Sequence, residues 1–441
     1  MDIELTEIAA ILDDQTKEDV SGLVTGFTVD SRTVKEGDLF IPLIAQRDGH
    51  DFIKDAISAG AIGHLYSHGV AQKNGIKVSD TMDALHTLAC KARNKLGAVS
   101  IGITGSVGKT TTKDMVKECL AAVFTVTASE QSFNNEIGVP LTILSSPPET
   151  ELLVVEMGAR GIGHIRTLCE IVNPKIGVVT CIGIAHSEFF GGISQTIQAK
   201  GELIEYLETD GLAVLNNDDE NVRDLRNRTS AEILTYGCGK GDVVAENIKI
   251  GSDLKPSFTI RSPWGNSELN LNISGTHNVT NALAAAATAM YSNVPISKVV
   301  EALETLRISP LRMETFETAG GCLVINDSYN ANPLSMKAAL GALAASGRKE
   351  RIAVLGVMAE LGNEHENSHL EIGELAKSEG IDVISINVEE YGGHLVETVE
   401  EAFQALSGMT NLGRNTAVLL KGSRIAALES LATKLSNKET A

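Results

Sequence analysis

Short runs of Val, Ile and Leu recur along this chain, and segments with helical periodicity separate them. Val99-Ser100-Ile101-Gly102-Ile103 is one such run, and others fall at 152–156, 176–182 and 212–215. Cys322-Leu323-Val324-Ile325, Ile352-Ala353-Val354-Leu355, Val383-Ile384-Ser385-Ile386 and Ala417-Val418-Leu419-Leu420 continue the pattern. Apolar strands that lack polar alternation are buried on both faces, and helices between them supply the cover. The pattern therefore predicts α/β architecture with parallel sheets. At 441 residues the chain exceeds one ordinary core. Three zones are expected, at 1–95, 96–309 and 310–441. The first is a small α/β domain with Leu39–Ile44 as a strand and 56–63 as a short helix and turn. The second is a parallel-sheet domain with a helix from Lys109 to Ala121 and an Ala-rich helix at 278–290. The third is Rossmann-like, with helices at 335–345, 366–379 and 395–406. No internal repeat or low-complexity segment interrupts them.

Composition narrows the function classes. A formal net charge of -20 argues against a general nucleic-acid or anionic-membrane surface, but permits a local phosphate pocket. The six cysteines are scattered without a C-x-x-C pair, which fits reduced thiols better than disulfides or a zinc site. The first residues lack a basic segment and an apolar core, and no apolar run is long enough to span a bilayer. A cytoplasmic protein is expected, with no nucleic-acid partner and no membrane insertion.

The run Val99–Ile103 leads into Thr104-Gly105-Ser106-Val107-Gly108-Lys109-Thr110-Thr111 and then a helix. Strand, glycines and Lys-Thr at a helix start form a phosphate-binding device. Glycines let backbone N–H groups approach phosphate oxygens, and the helix N-terminus adds free donors and a favourable dipole. Lys109 would neutralise the β- and γ-phosphates, and the Thr110 hydroxyl would ligate Mg²⁺. The common spacing G-x-x-x-x-G-K-[ST] is not met, because Ile occupies 103 and the glycine falls at Gly105.

This shortened loop resembles that of the Mur ligase superfamily, which includes folylpolyglutamate synthetase and joins amines to carboxylates using ATP. The resemblance extends along nearly the whole chain. It includes Asn134-Asn135-Glu136-Ile137-Gly138-Val139-Pro140, Val155-Glu156-Met157-Gly158 and Gly183-Ile184-Ala185-His186-Ser187-Glu188. It continues through Ala199-Lys200-Gly201-Glu202, Gly275-Thr276-His277-Asn278-Val279-Thr280-Asn281-Ala282 and Asp327-Ser328-Tyr329-Asn330-Ala331-Asn332-Pro333. The last segment, with Val357-Met358-Ala359-Glu360-Leu361-Gly362, is most similar to the branch that adds D-alanyl-D-alanine to UDP-N-acetylmuramoyl-tripeptide in peptidoglycan precursor synthesis. The resemblance implies a UDP-substrate domain, an ATP-binding domain and a C-terminal domain in that order, acting as a monomer.

Glu156 ends a buried apolar run, so it is either a structural charge or a ligand at the strand's carboxyl edge, where α/β sites lie. Beside an ATP loop the ligand is favoured. The resemblance implies that His186 also holds Mg²⁺. It further implies that Lys200, otherwise an ordinary surface lysine, is carbamylated and joins the metal set. Asn278 suits an N-cap, and the family match adds adenine contact, with His277 on the same wall. The resemblance places Arg312 on the γ-phosphate and Asp327 on the ribose. With the loop in one domain and these two in the next, catalysis would need domain closure.

The substrate ends rest on the same resemblance. Asp30-Ser31-Arg32, Gly37-Asp38-Leu39-Phe40 and Arg47-Asp48-Gly49-His50-Asp51-Phe52 match the UDP-sugar-binding segment, with Ser31 and Arg32 as the contacts. Asn134, Asn135 and Arg160 would meet the peptide. Tyr329, Asn330 and Asn332 would face D-alanyl-D-alanine, without a choice among them. Ile44 and Ala45 depart from the more polar pattern expected there. Gly158, Gly161 and Gly163 lack the third glycine of a dinucleotide fingerprint, because residue 166 is Arg, so NAD is rejected. The implied reaction forms an acyl phosphate, held by Lys109, Arg312 and metal, which the dipeptide's amine then attacks. The rivals are another amide ligase of the superfamily, a non-catalytic ATP-binding regulator and a P-loop kinase. The stem peptide's third residue, lysine or diaminopimelate, stays open.

Overall fold

The computed structural model describes residues 2–13, 20–70, 72–130, 133–183, 192–408 and 412–436. The chain is α/β throughout and forms two compact units. One comprises Met1–Gly102, Phe124–Gly158 and His164–Lys175; the other comprises Ile103–Val123, Ala159–Gly163 and Ile176–Ala441.

The first unit opens on a small parallel sheet with strands Gly26–Thr28, Asp38–Phe40, Gly63–Tyr66 and Gly75–Lys77 in that order. The strand expected over Leu39–Ile44 ends early, at Phe40. Ile41 still donates to Thr28 O, but Pro42 has no N–H to extend the ladder, and the chain turns so that Gly49 donates to Leu43 O. The helix expected at 56–63 occupies Ile53–Ser58, and Gly63 already begins a strand. Helix Thr81–Leu96 shows why its residues fold locally. The Asp80 carboxylate accepts from the N–H groups of Met82 and Asp83, Gly97 closes the other end at φ +65°, and Leu85, Leu88 and Ala92 form a buried stripe. Strands Val126–Ala128 and Leu152–Glu156 run parallel in this unit.

Strand Val99–Thr104 begins in the first unit and ends in the second. Beyond it in the second unit stand Ile176–Val179, Leu212–Asn216, Glu232–Gly237 and Val243–Ile250, then Pro256–Ser262 and Gly265–Asn270. The register is parallel from Ile176–Val179 to Val243–Ile250 and antiparallel over the last two strands. Helix Lys109–Ala121 follows the glycine loop as expected. Helix His277–Tyr291 buries nearly every residue, because its alanines allow close packing.

The C-terminal sheet has the order Glu314–Glu317, Leu323–Asn326, Thr416–Lys421, Glu350–Leu355, Asp382–Ile386 and His394–Val396. Only its first pair is antiparallel. The pleat sends Leu323, Ile325, Ala353, Leu355 and Leu419 into one core with Met336, Leu340 and Ile372. It sends Val324, Ile352, Val354, Val418 and Leu420 into the opposite core with Ala402, Leu406 and Leu431. Continuous apolar strands are therefore required, as the sequence predicts. The helix expected at 395–406 runs instead over Val399–Gly408, because His394–Val396 adds an edge strand.

Candidate active site

The loop after Thr104 is shaped by two glycines that no other residue replaces. Gly105 has φ +150°, and a Cβ there would lie 2.0 Å from Thr180 Oγ1. Gly108 has φ +83°, and a Cβ would lie 2.6 Å from Asn281 Oδ1. The backbone therefore presses against its neighbours and leaves the loop's outer side to a ligand. Ser106 donates its N–H to Cys181 O at 2.8 Å. Its hydroxyl donates to Gly183 O at 2.9 Å, and Thr180 Oγ1 donates to Val107 O at 2.6 Å. Lys109 Nζ folds back on the loop, donating to Gly105 O at 2.8 Å and Ser106 O at 3.3 Å. A cation held over phosphate-sized backbone in this way suits an anionic ligand. Thr110 and Thr111 are buried at the helix start.

Arg312 reaches this loop. Its Nη2 donates to Thr110 Oγ1 at 3.0 Å, while the guanidinium lies 4.1 Å above the Tyr329 ring. Among the described residues, Arg312 Nε and His277 Nδ1 are buried without a hydrogen-bond partner. An orphaned polar atom on the arginine that touches Thr110 fits a ligand that supplies the missing partner. Burial lowers the His277 pKa against the opposing pull of Asp327, so its ring stays neutral. Ser309 anchors the segment before Arg312, giving its N–H and hydroxyl to Asp114 Oδ2 at 2.9 and 2.7 Å.

Asn278 is not the N-cap its position suggested. Thr276 takes that place, and Asn278 sits inside the helix, 2% exposed. Its Nδ2 donates to Ser274 O at 2.8 Å and its Oδ1 accepts from Asn281 Nδ2 at 2.9 Å. Asn281 Oδ1 in turn accepts from Thr112 Oγ1 at 3.3 Å, so this chain of amides ties the Ala-rich helix to the phosphate-loop helix.

Asp327 pairs with Lys421, and its Oδ1 accepts from Met313 N–H at 3.2 Å. Lys421 also donates to Asn330 O at 3.1 Å. Ser423 then gives its N–H to Val357 O and its hydroxyl accepts from Ala359 N–H, both at 2.9 Å. Loops following three neighbouring strands thus converge at their carboxyl ends, where open α/β sheets bind ligands. The segment Lys421-Gly422-Ser423-Arg424 was not singled out from sequence. Its signal was present: a lysine ending an apolar run, the criterion that singled out Glu156. Asn332 Oδ1 accepts from Ser335 N–H in a capping box for helix Pro333–Ala344, while Asn330 is exposed and Tyr329 half-buried.

Lys200 is not a surface lysine. It is 2% exposed in helix Ile193–Tyr206, with Glu202 also buried and accepting from Gly163 N–H at 2.5 Å. Arg160 is exposed in the same unit. His186 lies outside the described residues. Glu156, Asn134, Asn135, Ser31 and Arg32 belong to the first unit. Glu156 is 1% exposed and accepts from Asn134 Nδ2 at 2.7 Å. Asn135 Oδ1 accepts from Gly138 N–H at 2.9 Å. Arg32 pairs with Asp30 at 2.6 Å, and its hydrogen bonds hold the Asp30 carboxyl at about 2. Ser31 is half-buried on the same turn.

Together these features define a P-loop nucleotide-binding α/β protein in which the segment leading into a second sheet brings Arg312 to the loop's helix. Among known families, residues 103–289 match the Mur ligase middle domain, and residues 311–424 match the Mur ligase glutamate ligase domain. The UDP-N-acetylmuramoyl-tripeptide--D-alanyl-D-alanine ligase of Escherichia coli (strain K12) is 33% identical, with 94% of each chain covered. The Bacillus subtilis (strain 168) protein of the same name is 36% identical, covering 82% of this chain and 79% of its own. The crystal structure of MurF from Acinetobacter baumannii superposes with a TM-score of 0.92 at 28% identity, covering 99% of each chain. MurF from Thermotoga maritima in complex with ADP gives 0.85 at 26% identity, covering 94% of this chain and 97% of its own. The chain belongs to the Mur ligase family, and its three-domain α/β architecture is that of MurF.

Proposed function

We propose that this chain closes the amide between D-alanyl-D-alanine and the terminal carboxylate of UDP-N-acetylmuramoyl-tripeptide. It is an ATP-dependent ligase of peptidoglycan precursor synthesis. The observation that carries the substrate choice is likeness to proteins of that name over 94% of the chain.

In this reading the residues divide by chemistry. The loop Thr104–Thr111 cradles the phosphates through its N–H groups. Lys109 leaves the loop carbonyls for the γ-phosphate, where Arg312, braced on Tyr329, stabilises charge as the carboxylate attacks. ADP leaves as the acyl phosphate forms; the dipeptide's amine then attacks the acyl carbon, gives up a proton and expels phosphate. Mg²⁺, when bound, screens the phosphate charge, and Thr110, Glu156, His186 and Lys200 would hold it. Carbamylation of Lys200 would give the buried helix position an anion in place of a cation. Asn278 and Asp327 serve adenine and ribose, Ser31 and Arg32 the uridine diphosphate, and Asn134, Asn135 and Arg160 the peptide. Tyr329, Asn330 and Asn332 line the dipeptide's approach; Asn330 is the exposed one and Asn332 acts through its cap. Domain boundaries at 95 and 309 follow from the same assignment.

The test is phosphate release across a substrate panel. Release should require ATP, the UDP-tripeptide and D-alanyl-D-alanine together. Turnover with a free amino acid in place of the dipeptide would overturn the substrate choice. Phosphorylation that stops without an amine would indicate a kinase. Lys200→Ala should abolish turnover, with partial rescue by short carboxylates; a fully active variant removes the carbamate from the scheme.

A further inference from the structure

We propose that Asp114 is a positioning residue for the ligation: through Ser309 it sets where Arg312 meets the phosphate loop, and this rests on Arg312 being the cation at the γ-phosphate, as proposed above. Asp114 follows Thr110 by about one turn of helix Lys109–Ala121, so the two side chains share a face. The segment from Ser309 to Arg312 runs back along that face. Ser309 gives its N–H and hydroxyl to Asp114 Oδ2 at 2.9 and 2.7 Å, and Arg312 Nη2 then donates to Thr110 Oγ1 at 3.0 Å. Two contacts a turn apart fix both the place and the direction of the segment.

The carboxylate is itself held in direction. Its other oxygen, Oδ1, stands 2.7 Å from Lys113 Nζ, and the two side chains are 12% and 4% exposed. Burying an ion pair costs desolvation that the pairing need not return, so stability alone is a weak reason for this one. Its geometry supplies a better one. Lys113 holds one oxygen and leaves the other aimed at Ser309.

The segment needs an anchor because its backbone is strained. Pro310 disfavours helical geometry at Ser309. Leu311 and Met313, on either side of Arg312, lie in the left-handed region at φ +64° and +51°. Residues with side chains enter that region at a cost and stay only where their surroundings over-determine them. Past Arg312 the surroundings do so. Met313 is 3% exposed in the core with Leu323 and Ile325, and its N–H donates to Asp327 Oδ1 at 3.2 Å. Leu311 O accepts from Tyr329 N–H at 3.1 Å. Before Arg312 the anchor is the Asp114 carboxylate. Without it the segment relaxes, and the guanidinium leaves Thr110.

The experiment is steady-state phosphate release by the full chain with ATP, UDP-tripeptide and D-alanyl-D-alanine, each variant assayed well below its melting temperature. Asp114→Ala should lower kcat by about tenfold, with the KM for ATP changed by less than about twofold. Ser309→Ala leaves the Lys113–Asp114 pair in place, so it should lower kcat by about threefold at nearly the parent's melting temperature. Asp114→Asn still offers Ser309 an oxygen but leaves Lys113 without its charged partner. It should recover most of the rate that Asp114→Ala loses while melting below the parent. In an Arg312→Ala background, Ser309→Ala should cost no further rate, because the positioned group is gone. Arg312→Ala at the parent's rate would overturn the reading of Arg312 and this role with it. If Arg312→Ala is slow, three results each overturn the role of Asp114 alone: Ser309→Ala at the parent's rate, losses that add in the double variant, or Asp114→Asn as slow as Asp114→Ala.

Discussion

At the scale of single residues, the phosphate loop depends on what its glycines lack. Gly105→Ala places a methyl 2.0 Å from Thr180 Oγ1 and within 3.2 Å of the Cys181 backbone, at a φ that L residues avoid. It should cost about 3 kcal/mol in a denaturant melt and abolish ATP binding. Adding Thr180→Ala should recover only part of the stability, since the backbone contacts remain. Full recovery would show that the hydroxyl alone is limiting. Lys421 is 1% exposed and holds Asp327 with its ammonium. Lys421→Met strands that carboxylate in a largely buried site and should cost about 3 kcal/mol. The double variant Lys421→Met with Asp327→Asn should be more stable than Lys421→Met alone. An equal or lower midpoint would refute pairing as the source of the loss.

At the scale of elements, helix His365–Ser378 carries a histidine whose proton is assigned by its partners. Met358 N–H donates to His369 Nε2 at 2.9 Å, and His369 Nδ1 lies 2.6 Å from His365 O. A ring that accepts on one side and donates on the other is neutral, and burial lowers its pKa further. The folded state resists the proton while the unfolded chain takes it near the ordinary histidine value of about 6.5. The stabilisation is therefore complete above that pH and is lost as pH falls toward the lowered folded value. Unfolding midpoints between pH 7 and 5 should decline less steeply in His369→Gln than in the parent; parallel declines would remove this helix from the acid sensitivity. Element boundaries were legible where a single cause sets them. Helix Lys109–Ala121 starts where the glycines end. They were misread where long-range pairing decides. Strand His394–Val396 exists because Asp382–Ile386 lies beside it, and periodicity alone extended the next helix over it.

At the scale of the whole molecule, no helix among the described residues is long and apolar enough to cross a membrane. Arg312 and Ser309 bind the phosphate-loop helix from the segment that leads into the C-terminal sheet, within one compact unit. Saturating ATP and Mg²⁺ should raise stability by about 3 kcal/mol at a hundredfold excess over Kd. The shift, read by calorimetry, should vanish in Lys109→Ala; an equal shift there would place the phosphates elsewhere. By itself the sequence determined the α/β class, the glycine loop and the family, because strand burial and phosphate chemistry are written in contiguous residues. Only the tertiary structure decided that Lys200 is buried, that Asn278 is locked inside a helix, that Lys421 holds Asp327, and that Asp114 meets Ser309. The Lys421–Asp327 pair spans 94 residues of sequence, and the burial of a side chain depends on every element packed around it, so a linear pattern carries neither.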